Sequence, residues 1–148
     1  MTATWTLDDY QALAEFRFQI RKFLHFSQQA AEQAGLEPGQ HQLLLTVKGL
    51  PGGTQPRIAD LAERLQIRHH SVVELVNRLA RRGYVERHRA SHDRREVLVS
   101  LTVKGEKVLR QLSLHHRAEL RTQGPALIVA LKRAMRVVEP ASLKPRRK

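Results

Sequence analysis

Asp93, Arg94 and Arg95 stand together just before an alternating run, Val97-Leu98-Val99-Ser100-Leu101. A carboxylate and two guanidinium groups at one turn suit two kinds of chemistry: pairing with phosphate, and insertion of a cationic fork into a groove of negative potential. An arginine needs aiming, because its long side chain gives up rotamer freedom on binding. A carboxylate two residues away could aim it through a bidentate pair. On this reading Arg95 is the groove probe, Asp93 its clamp and Arg94 a phosphate contact. Alone, such a turn would be an exposed ion pair worth at most about 1 kcal/mol. Its meaning comes from its surroundings.

A second set of polar groups lies upstream. Val72, Leu75, Val76 and Leu79 recur at helical spacing and mark a buried stripe. At about 100° per residue the opposite side carries His70, Glu74, Asn77 and Arg81, flanked by Ser71, Val73 and Arg78, with Arg68 and His69 at the start. These donors and acceptors are of the kind that read base edges in a major groove. Glu74 is the awkward member. It repels phosphates, and its best use is accepting from a cytosine amino group.

The elements that must position these groups follow from periodicity. Leu13, Phe16, Ile20, Phe23 and Leu24 fall on one face of a long helix ending near Gly35. Pro38 opens a second helix with Leu43, Leu44 and Val47, closed by Leu-Pro-Gly-Gly. Ile58, Leu61, Ala62 and Leu65 mark a third, and after a break at Gln66–Ile67 the fourth runs to Arg82. Two short helices joined by a tight turn outline a helix-turn-helix. Strand-forming residues 84–89 and 96–102 flank a polar tip, Ala90 to Arg95, which makes a hairpin directly after it. Thr102 is placed to cap a fifth helix, with Val108, Leu109, Leu112, His116 and Leu120 inward. Gly124–Pro125 is expected to break that helix, leaving a sixth (Leu127, Ile128, Leu131, Met135, Val138) that runs to Pro140.

The sequence therefore predicts a mainly α fold with a small β-hairpin wing in one chain, 1–148. Helices within 6–34 and 103–140 form a dimerisation arm, 38–102 forms a winged helix-turn-helix, and 141–148 is a basic tail. Lys and Arg number 26 against 14 Asp and Glu, giving a net charge of +12. A field of that size favours polyanions such as nucleic acid. With no cysteine, disulfides, thiolate metal sites and thiol redox chemistry are excluded. No apolar run reaches membrane-spanning length and no basic leader precedes an apolar stretch, so a cytoplasmic protein is expected. His69–His70 and His115–His116 are adjacent pairs whose side chains diverge on a helix, whereas a helical metal pair wants i, i+4 spacing. His88 and His92 have that spacing, but in a hairpin. No metal, no cofactor and no enzymatic activity are expected.

These segments resemble the MarR family of transcriptional regulators over roughly residues 7–140. The most specific piece is Asp-Arg-Arg-Glu-Val-Leu-Val-Ser-Leu-Thr-Val-Lys-Gly, residues 93–105, similar to the family's wing signature. Ile-Ala-Asp-Leu-Ala-Glu-Arg-Leu-Gln-Ile and the stretch from Val72 to Arg87 resemble its helix-turn-helix block, and Gln-His-Gln-Leu-Leu-Leu the opening of its second helix. The resemblance implies a homodimer on double-stranded DNA at a pseudo-palindromic operator, with recognition helices in major grooves and wings in the flanking minor grooves. It places Asp93 and Arg95 in the wing roles and Ser71 with its neighbours on the reading face. It also implies repression relieved by a small aromatic or anionic effector, in a pocket for which Phe16, Arg17, Ile20 and His41 are the candidate lining. The Arg-His-His-Ser start of the recognition helix departs from the Ser or Thr cap of many members. Two other readings suit the same features: a sequence-tolerant architectural DNA binder, and a winged-helix adaptor that binds protein.

Overall fold

The computed structural model describes residues 4–93 and 95–136. Arg94, Val138 and the basic tail lie outside the described residues. The elements run α1 (Leu7–Gln33), α2 (Pro38–Lys48), α3 (Ile58–Leu65), α4 (His69–Arg81), β1 (Val85–Arg89), β2 (Val97–Leu101) and α5 (Val103–Met135). They fall into two compact units, residues 28–115 and residues 1–27 with 116–148. The first unit takes in the last turns of α1 and the first turns of α5, beyond the 38–102 that periodicity marks out.

Residues 28–115 hold a continuous core. Leu43 and Leu44 of α2, Leu61 of α3, Val72, Val76 and Leu79 of α4, and Val99 of β2 are all but inaccessible. Ala30 and Ala31 of α1 and Leu109 and Leu112 of α5 join the same cluster. Truncating any of the buried leucines to alanine costs about 2–5 kcal/mol, the lost transfer energy plus the cavity left behind. The α3–α4 turn passes through Gln66, whose backbone is left-handed at φ 54° and whose Nε2 donates to the Glu63 carbonyl at 2.7 Å. Gly83 ends α4 at φ +79°, and the Tyr84 amide reaches back to the Leu79 carbonyl at 2.9 Å. That left-handed stop turns the chain into the hairpin.

β1 and β2 pair antiparallel, with Val85 opposite Leu101 and Arg89 opposite Val97. The hairpin gains a third, one-residue partner that periodicity could not reveal. Arg57 bridges Leu98, and the Val99 amide donates to the Pro56 carbonyl at 3.0 Å. Thr102 caps α5 as expected: its Oγ1 accepts from the Gly105 amide at 3.1 Å and donates to the Gly83 carbonyl at 2.6 Å. Gly105 has a separate reason to be glycine, because a Cβ there would collide with the Tyr84 carbonyl.

In the other unit, Thr6 and Asp9 cap α1 reciprocally. The Thr6 amide donates to Asp9 Oδ2 at 2.7 Å and the Asp9 amide to Thr6 Oγ1 at 3.3 Å. The Asp9 carboxylate also accepts from Arg136 Nε at 2.8 Å, and Asp8 pairs with Arg133 at 2.7 Å. Further along, His116 Nε2 and Ser27 Oγ share a 2.8 Å hydrogen bond, with Phe23 and Phe26 edge-on to the imidazole.

The expected break at Gly124–Pro125 does not occur: α5 runs unbroken through Pro125. Proline forfeits one intrahelical hydrogen bond and crowds the preceding turn, a penalty of about 3 kcal/mol. Here several turns of helix on either side carry the segment across it. No helix among the described residues is long and apolar enough to cross a membrane.

Candidate nucleic-acid interface

α4 is a strongly amphipathic helix whose buried stripe matches the sequence reading, with Leu75 half-buried beside Gly39. It begins at His69 with Arg68 as N-cap in extended conformation, and no side chain caps it. The departure in Arg-His-His-Ser is thus a missing side-chain cap, while the Ser71 amide closes the first turn onto the Arg68 carbonyl at 3.0 Å. Arg68, His69, His70 and Glu74 are exposed, and Ser71 is half-buried. The side chains of Arg68, His70 and Glu74 have no partner among the described residues. They form an uncommitted polar face.

The C-terminal half of α4 is not uncommitted. Asn77, expected on the open face, is half-buried, and its Oδ1 accepts a hydrogen bond from Arg87 Nη1 on β1. Arg81 Nε donates to the Asn77 carbonyl at 3.3 Å. Arg81 and Arg87 with Asn77 and Ala80 thereby line one open cleft. Arg78 turns toward α2 and pairs with Glu37 at 3.6 Å. Val73 is half-buried against the core rather than presented on a reading face.

At the wing, the aspartate clamp takes a different form from the expected one. Asp93 Oδ1 accepts from the backbone amide of Arg95 at 2.9 Å, and no ion pair joins the two side chains. An aspartate naturally bonds the amide two residues on, closing a turn, and that local bond wins over the longer reach to the guanidinium. Asp93 therefore shapes the backbone from which Arg95 projects, while the Arg95 side chain stays exposed. The expected phosphate contact, Arg94, lies outside the described residues.

The root of the wing is tied to α3. Arg57, the α3 N-cap, sets its Nε 3.2 Å from Glu96 Oε2, and both atoms are shielded from solvent. His92 Nε2 stands 3.7 Å from the same carboxylate. Arg57, Ile58, His69, Val73, Arg95 and Val97 line a cleft between this root and the start of α4. The fold thus brings His69 and Arg95, 26 positions apart in sequence, to the same concavity.

Of the residues suggested for an effector pocket, Phe16 and Ile20 are half-buried and Arg17 exposed on α1. His41 on α2 is only 1% exposed, inside the core of residues 28–115. Among the described residues no cluster of three or more His, Asp or Glu could hold a metal ion.

A helix-turn-helix followed by an antiparallel hairpin, with an uncommitted polar helix face beside a cationic hairpin tip, defines a winged helix-turn-helix. Residues 34–96 match the model of the MarR family. A Thauera aromatica protein named for transcriptional regulation of the hcr operon is 28% identical over 96 residues, 65% of this chain. The aligned stretch spans 56% of that protein's length. Among solved structures, the chain resembles AbsC, a MarR-family transcriptional regulator from Streptomyces coelicolor, with a TM-score of 0.73 and 22% identity over 90% of this chain and 93% of that one. It also resembles Streptococcus pneumoniae FabT in complex with DNA, with a TM-score of 0.64 and 23% identity over 76% of this chain and 80% of that one. At these identities the likeness to the solved structures is one of fold. The Thauera protein and AbsC are both named as transcriptional regulators.

Proposed function

We propose that this chain is a sequence-specific DNA-binding transcriptional regulator that acts as a homodimer, and that it represses from a pseudo-palindromic operator. The observation that carries the reading is the pairing of two uncommitted elements in one unit: the Arg68–His70–Glu74 face of α4 and the Arg95 tip shaped by Asp93. The helix face suits base edges in a major groove, and the arginine suits a narrow minor groove beside it. The net charge of +12 supplies the phosphate attraction common to every duplex. Arg81 and Arg87 add a fixed cationic pair to that surface, and Arg94 is proposed as a further phosphate contact.

The homodimer is supported by apolar side chains left in water by the single chain. Leu7, Tyr10 and Leu24 on α1 and Ile128, Val129 and Met135 on α5 are all more than half exposed. A solvated protein seldom leaves so much apolar area open, and a second copy would cover it. Two-fold symmetry then sets the half-sites about one helical turn, roughly 10 base pairs, apart. Regulation by a small aromatic or anionic effector belongs to the same proposal. Phe16, Arg17 and Ile20 would make its direct contacts, because the buried His41 ring is reached only if the core opens. Residence in the cytoplasm completes the reading.

The test is selection from a random duplex pool, with sedimentation of the recovered complex. A two-fold-symmetric consensus bound by two chains supports the proposal. A pool that emerges unenriched means an architectural binder, and no retention of DNA at low salt means the adaptor reading.

A further inference from the structure

Arg82, one residue past the recognition helix, is exposed, yet its guanidinium is tied back to neighbouring elements. Its Nη2 donates to the Gly35 carbonyl at 2.7 Å and its Nη1 to Gln40 Oε1 at 3.1 Å. Gln40 is buried, and the same Oε1 accepts from the Glu37 amide at 3.1 Å, within the capping box of α2. The Arg82 carbonyl accepts from Lys104 Nζ at 2.7 Å. Both cations stand over the Tyr84 ring, with Arg82 Cζ 5.1 Å and Lys104 Nζ 4.4 Å from its centroid. One residue thus ties the C-terminus of α4 to the loop after α1, the first turn of α2, the start of the hairpin and the first turn of α5.

We infer that Arg82 is a positioning residue for DNA recognition: it fixes the angle at which α4 is presented, without itself touching DNA. The proposal rests on the DNA-binding reading above. Three properties of the site support it. First, two guanidinium nitrogens are committed to acceptors on different elements, and that fork has no counterpart in a lysine, whose ammonium is a single point charge. Second, the tie is at the far end of α4 from Arg68 and His69, so a small rotation about it becomes a large displacement at the base-reading turn. Third, Asn77, Arg81 and Arg87 sit on the same last turns of α4 and the strand after it, so losing the tie would disturb the cationic pair as well. Discrimination between DNA sequences depends on where side chains meet base edges, whereas contacts to phosphate carry no sequence information directly.

Arg82→Lys and Arg82→Gln test this. Binding is measured by fluorescence anisotropy on the duplex that the unmodified protein selects from a random pool, and on a scrambled duplex, across a salt series. Circular dichroism fixes a temperature at which every variant is fully folded. Positioning predicts that both variants lose about tenfold in affinity for the selected duplex, in the range seen for residues that couple to a site without contacting the ligand. For Arg82→Lys the scrambled duplex and the salt slope should be unchanged, because no cation is lost. A phosphate contact predicts instead that Arg82→Lys keeps its affinity while Arg82→Gln lowers the salt slope by about 1, and that outcome overturns the inference. So does a fall in melting temperature with unchanged affinity for the selected duplex, which would make Arg82 a purely structural tie. If the unmodified protein selects no duplex at all, it is the DNA-binding reading that fails, and the inference goes with it.

Discussion

Arg87 on the first wing strand donates its Nη1 to Asn77 Oδ1 on the recognition helix. The bond joins the two elements that a winged helix must hold in register, and it fixes a guanidinium beside Arg81 at the mouth of an open cleft. It also takes up one of the two lone pairs of the Asn77 side-chain oxygen, Oδ1, which leaves that atom less free to read a base.

Arg87→Ala should therefore weaken binding to every duplex alike. Loss of one phosphate contact lowers the salt slope by about 0.9 and leaves the ranking of sequences intact. Anisotropy titrations on a selected and a scrambled duplex check this. A change confined to the selected duplex would mean that Arg87 reads bases.

At the wing, Asp93→Asn and Asp93→Ala separate two ways of aiming Arg95. An asparagine retains an oxygen that accepts from the Arg95 amide, so if Asp93 works by closing the turn, Asp93→Asn should bind the selected duplex nearly as the unmodified protein does. Asp93→Ala loses one hydrogen bond worth about 1 kcal/mol and should bind several-fold more weakly. Equal losses in the two variants would show that the negative charge matters, as a guanidinium clamp would require. Arg95→Ala should cost about 1–3 kcal/mol and erase preference for A·T pairs at the outer positions of the site.

Glu74 gives a prediction of opposite sign. A carboxylate on the reading face repels phosphates generally and rewards only a well-placed cytosine amino group. Glu74→Ala should bind scrambled duplex more tightly than the unmodified protein and lose discrimination at one base pair per half-site. Repeating the pool selection with this variant reads both effects. A consensus and affinity identical to those of the unmodified protein would remove Glu74 from the interface.

Acid should loosen the start of α1. The Thr6 backbone amide, with the Arg136 guanidinium, holds the Asp9 carboxyl below its usual value of 3.8. A carboxylate whose folded value is depressed contributes stability that is present above the unfolded value and is lost as pH falls through the folded one. Asp9→Asn should therefore melt at a lower temperature than the unmodified protein near neutral pH. The gap should close progressively below about pH 3.8. A gap that stays constant into acid would show that Asp9 acts through shape rather than charge.

The sequence is a good guide where one rule governs a whole segment. Helical spacing in α2, α3 and α4, and alternation in β2, repeat over several residues, so burial of one face decides the structure. It is a poorer guide where two local rules compete over the same atoms. Asp93 and Arg95 are spaced equally well for an ion pair and for a turn closed by the amide, and only the backbone geometry separates the two. At Pro125 the residue's own penalty is outweighed by helix on both sides. The Asn77–Arg87 bond and the Arg57–Leu98 bridge leave no periodic trace, since each joins single residues of different elements. Residues 93–105, continuous as a motif, divide in three dimensions: Asp93 and Arg95 form an exposed tip, while Thr102 and Gly105 serve the junction of hairpin and helix. The motif that points most clearly to DNA is thus in large part a structural joint.

The central claim, recognition of sequence and not of phosphate alone, is tested most directly by comparing affinity for a pool-selected duplex with that for a scrambled duplex of equal length as salt is raised. The account predicts that the selected duplex keeps an advantage of about 1,000-fold or more at physiological salt, after the shared phosphate attraction has weakened. Parallel decline of the two affinities, with no gap between them at any salt concentration, would contradict it.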